Sequence, residues 1–274
     1  MTRGDGFRNL HTRSARIRCL KVLRWTAFWI GVSVFCFAAM APAGQDPAAD
    51  TSRAIQASTK SPAIVFGFLG GFVAHDNPVH SEVQLAARLR QQYPAGVHVE
   101  TFASYRAKRA RRKILKLLDT DEDGALTPEE KQSAQIILYG HSWGGAEAIN
   151  VARALQKDGI PVLLTLQVDS ISRPGKNDTT IPANVAQAVN FYQPHGLLRG
   201  HHDIRAADSA RTQILGNYRF DYESSALKCA EYPWYDRLFV KAHTQIECDP
   251  IVWDQMESLI RANLPPVTTE ESEE

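Results

Sequence analysis

The segment Ile136-Ile137-Leu138-Tyr139-Gly140-His141-Ser142-Trp143-Gly144-Gly145 constrains this chain more than any other stretch, because it joins a short apolar run to a G-x-S-x-G turn and then to a helical pattern. The run before the turn reads as a buried strand, and Ala146, Ala148, Val151, Ala152 and Leu155 recur at helical spacing after it. Passing from strand to helix within so few residues demands strained backbone angles at Ser142, and glycines at positions 140 and 144 let neighbouring backbone approach without a Cβ clash. Such a turn exposes Ser142 Oγ at the carboxyl end of the strand. The following helix aims unpaired N–H groups and the positive end of its dipole at the same point, where a developing oxyanion would be stabilised.

Around this segment the chain alternates between strand and helix patterns. Ala63 to Phe72 reads as a buried strand opening into a glycine-rich loop, Glu82 to Gln92 as a helix, Val97 to Phe102 as a strand and Arg106 to Leu118 as a second helix. Beyond the serine turn, Pro161 to Asp169 reads as a strand with an acid at its end, Ala188 to Gln193 as another, and Ile251 to Ala262 as a closing amphipathic helix. This alternation predicts an α/β domain with a mostly parallel sheet flanked by helices. Residues 194 to 235, broken by Gly196, Gly200 and Gly216, are expected to form a cap or a β-hairpin over a pocket.

The GHSWGG turn in this setting resembles the nucleophile elbow of the α/β-hydrolase superfamily, particularly its lipase and esterase-like members. The likeness extends from about Ala63 to Ile260, and the elbow is its specific part. It implies a serine hydrolase that cleaves carboxylic esters through an acyl-enzyme and uses no cofactor in catalysis. Serine needs a histidine base, and the base needs an acid to hold its tautomer. The superfamily's chain order of nucleophile, acid and histidine implies Ser142, Asp169 and His243, with Asp178 and Asp203 as rival acids and His195, His201 and His202 as rival bases. For the oxyanion hole it implies the backbone N–H of Trp143 and a second donor in Phe66-Gly67-Phe68-Leu69-Gly70-Gly71, at Phe68 with Leu69 as runner-up. A peptidase or amidase on the same triad, and a non-catalytic binding protein on the same scaffold, are the alternatives.

Just before the elbow strand, residues 119 to 130 fit the twelve-residue EF-hand loop. Asp119, Asp121 and Asp123 supply carboxylate oxygens, Gly124 makes the sharp turn, Ala125 offers its carbonyl, Thr127 acts directly or through water, and Glu130 closes the site. The same Thr127 and Glu130 form a capping box for an exit helix with Pro128 at its first position. The expectation is a structural Ca²⁺ that braces the strand feeding Ser142.

The amino terminus has a different composition. Arg13, Arg16, Arg18, Lys21 and Arg24 precede an apolar run from Trp25 to Ala41, and Ala41 and Ala43 offer an A-x-A cleavage site, so residues 1 to 43 read as a signal peptide or an N-terminal membrane anchor. Residues 44 to 60 read as a linker, 61 to 264 as the folded domain and 265 to 274 as an acidic tail. The leader holds seven of the 31 basic residues and one of the 30 acidic ones, which leaves 24 against 29. A mildly acidic body argues against nucleic acid as a partner. The expected partner is a small-molecule or lipid ester, with membrane association through the N-terminal segment as an option. Cleavage also removes Cys19 and Cys36 and leaves Cys229 and Cys248, which an exported protein is expected to pair in one disulfide enclosing His243. The expected location is therefore outside the cytoplasm, or at the membrane if the leader stays.

Overall fold

The computed structural model describes residues 62 to 266. The leader, the linker and all but the first two residues of the acidic tail lie outside the described residues. Six strands form one sheet in the order β2-β1-β3-β4-β6-β8, and every neighbouring pair is parallel. They are β1 (Ala63–Leu69), β2 (Val97–Ala103), β3 (Ile136–His141), β4 (Val162–Val168), β6 (Val185–Tyr192) and β8 (Gln213–Arg219). Two short strands, β5 (Thr180–Ile181) and β7 (Arg205–Ala206), pair separately.

Parallel strands need crossovers, and the helices that supply them cover both faces of the sheet. In β3 the side chains alternate, so Ile137 and Tyr139 enter one core while Ile136 and Leu138 enter the other. Helices α1 (Ser81–Gln92) and α7 (Pro250–Ala262) close the first core with Leu85, Leu89, Trp253, Met256 and Ile260. On the opposite face, α2 (Ala107–Leu118) and α4 (Trp143–Lys157) contribute Ile114, Leu118, Ile149 and Ala152. Between α2 and β3 lies the short α3 (Pro128–Gln132), which starts in the expected capping box. Two further helices, α5 (Trp234–Phe239) and α6 (Lys241–Cys248), precede α7.

One sequence expectation is corrected. Residues 194 to 235 do not form a β-hairpin over the pocket, because β8 lies inside that span and joins the main sheet as its sixth strand, parallel to β6, while Leu198 and Tyr232 of the same span line the cavity. Glycine at 216 had signalled a break, yet here it sits within the strand, next to a register shift at Ala188/Val189 of β6. Cys229 and Cys248 are bonded, with 5.7 Å between their Cα atoms, so the bridge ties the segment before α5 to the end of α6. Among the described residues no helix is long and apolar enough to cross a membrane.

Candidate active site

At the carboxyl end of β3 the chain turns into α4 through Ser142, which takes φ 57° and ψ −127°. The glycines that flank it are there for lack of space. A Cβ on Gly144 would stand 1.9 Å from Phe68 O, and one on Gly140 would stand 2.5 Å from both Phe68 O and the Gly144 carbonyl carbon. The Ser142 N–H donates to Val168 O at 2.9 Å, which fastens the turn to the end of β4.

Asp169 follows β4 and is fully buried. It also takes a positive φ, 41°. Its Oδ2 accepts Nδ1–H of His243 at 2.6 Å and Nε2–H of Gln193 at 2.8 Å, while Oδ1 accepts the Gly200 N–H at 2.7 Å. Burial pushes the carboxyl up, but the bond and charge of His243, together with Gln193 and Gly200, outweigh it and hold Asp169 below the ordinary aspartate value. Gly200 is required at this spot, since a Cβ there would meet the Asp169 carbonyl carbon at 2.2 Å. Gln193 and Gly200 carried no sequence signal beyond a strand end and a glycine break.

His243 lies in the first turn of α6, 6 % exposed, with its ring 4.4 Å from that of His141. A cavity of about 170 Å³ is lined by Gly70, Gly71, His80, His141, Ser142, Leu198, Tyr232, Asp236, Val240, His243 and Glu247, among others. Ser142 and His243 thus line the same cavity, and His243 is bonded to Asp169, although the three come from distant segments.

The rival residues point elsewhere. Asp178 accepts from Ser170 Oγ at 2.5 Å and stands 3.0 Å from His201 Nε2. His195 faces Asp221 at 3.0 Å, His202 stacks on Tyr192, and Asp203 is exposed. Phe68, the expected second oxyanion donor, sits inside β1 in register with Phe102 and Gly140 and does not line the cavity. Gly70 and Gly71 do line it, and a Cβ on Gly70 would come within 3.0 Å of Ser142 Cβ. Trp143 opens α4 directly after the serine, and its ring meets Phe72 edge-on at 5.4 Å.

A second group of ionisable side chains, which sequence reading missed, lies on the same cavity. Glu247 of α6 pairs with His80 Nδ1 through one oxygen, and its other oxygen stands 3.3 Å from His141 Nδ1. Burial pushes Glu247 up, but the charges of His141 and His80 outweigh it and hold the carboxyl low. Burial drives His141 down to about 4, against the pull of Glu247. Glu82 is completely buried, and burial together with the nearby Glu247 raises it to about 8. The available signal was on α1, where Glu82 shares a helical face with Leu85, Ala86 and Leu89 and so puts a charge on the apolar side.

The acidic loop between α2 and α3 is closed by its own side chains. Gly124 takes φ 84°, Asp119 Oδ2 accepts its N–H at 3.0 Å, and Asp123 Oδ1 accepts the Ala125 N–H at 2.7 Å. Glu130 reaches back to accept the N–H groups of Thr120 at 2.7 Å and Thr127 at 2.9 Å. The N–H groups of Thr127 and Thr120 lower its carboxyl to about 2. One oxygen each from Asp119, Asp121 and Glu130 lies within 4.8 Å of the others, and Asp119 Oδ1 is buried without a hydrogen-bond partner.

The parallel sheet, its helical cover and the strand-turn-helix at Ser142 define an α/β-hydrolase fold. No model of a known protein family matches the chain, and no curated protein matches it. Among solved structures it is similar to the RedJ thioesterase from the prodiginine biosynthetic pathway in Streptomyces coelicolor, at 12% identity over 75% of this chain and 95% of that one, with a TM-score of 0.36. It is likewise similar to carboxyl esterase 2 from the mycorrhizal fungus Tuber melanosporum, at 12% identity over 69% of this chain and 79% of that one, TM-score 0.36. A third is the dienelactone hydrolase-like promiscuous phosphotriesterase P91 from metagenomic libraries, at 13% identity over 77% and 90%, TM-score 0.38. Similarity at this level does not assign a substrate.

Proposed function

We propose that this chain is an exported serine hydrolase that cleaves carboxylic esters, including lipid esters or thioesters, through an acyl-enzyme. The observation that carries the reading is the buried 2.6 Å bond from His243 Nδ1 to Asp169, on the cavity wall that holds Ser142 at strained backbone angles. In the neutral ring, an Nδ1–H given to Asp169 leaves Nε2 as the acceptor that a general base needs. In the proposed reaction, Ser142 Oγ attacks the ester carbonyl, its proton passes to His243, and the alcohol or thiol departs with that proton. Water then repeats the sequence on the acyl-enzyme. Asp169 stabilises the imidazolium at each stage.

Trp143 N–H at the start of α4 serves as one oxyanion donor. The loop after β1 supplies the other, from Gly70-Gly71 rather than Phe68, because these glycines border the cavity while Phe68 belongs to the sheet. The Asp119 to Glu130 loop holds a structural Ca²⁺ through Asp119, Asp121, Asp123, the Ala125 carbonyl, Thr127 and Glu130. The unpartnered Asp119 Oδ1 and the converging carboxylates support this reading. The Cys229–Cys248 bridge supports an oxidising location.

The test is a p-nitrophenyl ester series together with a fluorophosphonate probe, run on wild type and Ser142→Ala. Turnover and labelling in wild type, both lost in Ser142→Ala, are the expected result. A wild type that neither hydrolyses esters nor takes the label, with calcium present, overturns the enzyme reading in favour of a binding protein on this scaffold.

A further inference from the structure

The triad leaves unused a group of ligand-type side chains at the cavity and buried beside it. His80 precedes α1, Glu82 lies in its first turn and Glu247 comes from α6, so the chain brings them together across 167 residues. One ligand atom from each lies within 4.8 Å of the others. Glu82 is shut off from solvent, and although the N–H groups of Gly70 and Glu82 itself favour its charged form, neither carboxylate oxygen makes a well-formed hydrogen bond. Glu247 is 6 % exposed.

A buried carboxyl whose oxygens lack hydrogen-bond partners, set beside a second buried carboxylate, calls for a cation. The cationic side chains that act most strongly on this pair are histidines. A divalent cation with a neutral imidazole balances two carboxylates and gives Glu82 the partner it lacks. An imidazole nitrogen with carboxylate oxygens suits zinc and its neighbours better than calcium, which takes oxygen ligands. His141 Nδ1, 3.3 Å from the second Glu247 oxygen, is placed to orient that carboxylate. His80 and Glu247 border the cavity, which gives the ion a way in and leaves room for water as a further ligand.

We propose that His80, Glu82 and Glu247 form a binding site for a divalent transition-metal cation of the zinc type, separate from the calcium loop and from the proposed triad. The ion joins α1 to α6 and stiffens the part of the cavity lining that His80 and Glu247 supply.

The experiment uses the full chain, stripped with chelator, returned to millimolar calcium and titrated with Zn²⁺. It reads bound zinc by elemental analysis, the Tm, and the visible spectrum after Co²⁺ is used in place of zinc. The expected result is one zinc per chain, a raised Tm and cobalt ligand-field bands in wild type. Glu82→Gln, which keeps the side-chain shape, and His80→Ala lose all three. Glu130→Gln in the calcium loop and His195→Ala, which removes an exposed alternative of His195, Asp221 and Glu223, keep them. Wild type without stoichiometric zinc overturns the proposal, as does zinc retained by a folded Glu82→Gln or His80→Ala. Neither result depends on ester turnover, so the site and the hydrolase reading stand or fall separately.

Discussion

Ser142 and Asp169 both hold positive φ without being glycine, at 57° and 41°. Such conformations cost on the order of 1–3 kcal/mol each and persist where the surroundings enforce them. Ser142→Gly relieves the strain at the turn, so it is expected to raise stability by about 1 kcal/mol in urea unfolding while turnover vanishes. Gly144→Ala acts in the opposite sense, because its Cβ would fall 1.9 Å from Phe68 O and the turn would have to move. A loss of more than about 3 kcal/mol is expected in the same assay.

For Asp169→Asn, kcat should fall about 10⁴-fold with little change in KM, since the amide favours the wrong imidazole tautomer. The same variant carries a pH prediction. A carboxyl held below its usual 3.8 adds stability that is fully present above that value and is lost as pH falls through the folded value. The stability gap between wild type and Asp169→Asn should therefore narrow on acidification below about pH 4. A gap that widens there would contradict the depressed carboxyl.

At the scale of elements, the strands and helices around the elbow were legible because their periodicities were undiluted. The β3 strand is a continuous apolar run, and α1, α2, α4 and α7 show helical spacing. Strand β8 was not legible. Its residues are half-buried or exposed at the sheet edge, and Gly216 interrupts them, so neither an apolar run nor clean alternation marks it. The apolar Leu238-Phe239-Val240 lies at the exposed end of α5 rather than in a strand.

The helix-loop-helix of α2, the acidic loop and α3 carries its own prediction. With millimolar calcium and a dissociation constant near 10⁻⁴ M, the ion adds about 1.4 kcal/mol, so in zinc-free protein the removal of calcium should lower the Tm of wild type and leave that of Glu130→Gln unchanged. The bridge from Cys229 to Cys248 encloses α6 and closes a loop of 19 residues in sequence separation. Its reduction should lower stability by about 3 kcal/mol in chemical unfolding.

For the whole molecule, two cores on opposite faces of one sheet hold the site, and the proposed nucleophile and acid sit at the carboxyl ends of its two central strands. Ser142 and Asp169 follow neighbouring parallel strands, an adjacency the alternating pattern implied. The Glu247, His80 and Glu82 cluster was hidden because its members are remote in sequence and meet only once α6 packs beside α1. Several large apolar side chains adjacent in sequence to the cavity-lining Asp236, Val240 and Leu198 are exposed. Trp234, Leu238 and Phe239 of α5 are each more than 60 % exposed, and Leu197 is 95 % exposed beside the cavity-lining Leu198. Exposed apolar groups clustered near a pocket mark a surface for an apolar partner. Replacing Trp234 and Leu238 with serine should leave soluble short-chain esters unaffected but raise KM for micellar long-chain esters about tenfold, from about 1.4 kcal/mol of lost burial.

The position of His243 in α6, far along the chain from Ser142 and Asp169, has a bearing on how the protein is made. A ribosome releases nucleophile and acid before the base, and chains fold as they emerge. On the proposed assignment, an unfinished polypeptide holds an unactivated serine, so truncated translation products are inert toward the esters of the cell that makes them.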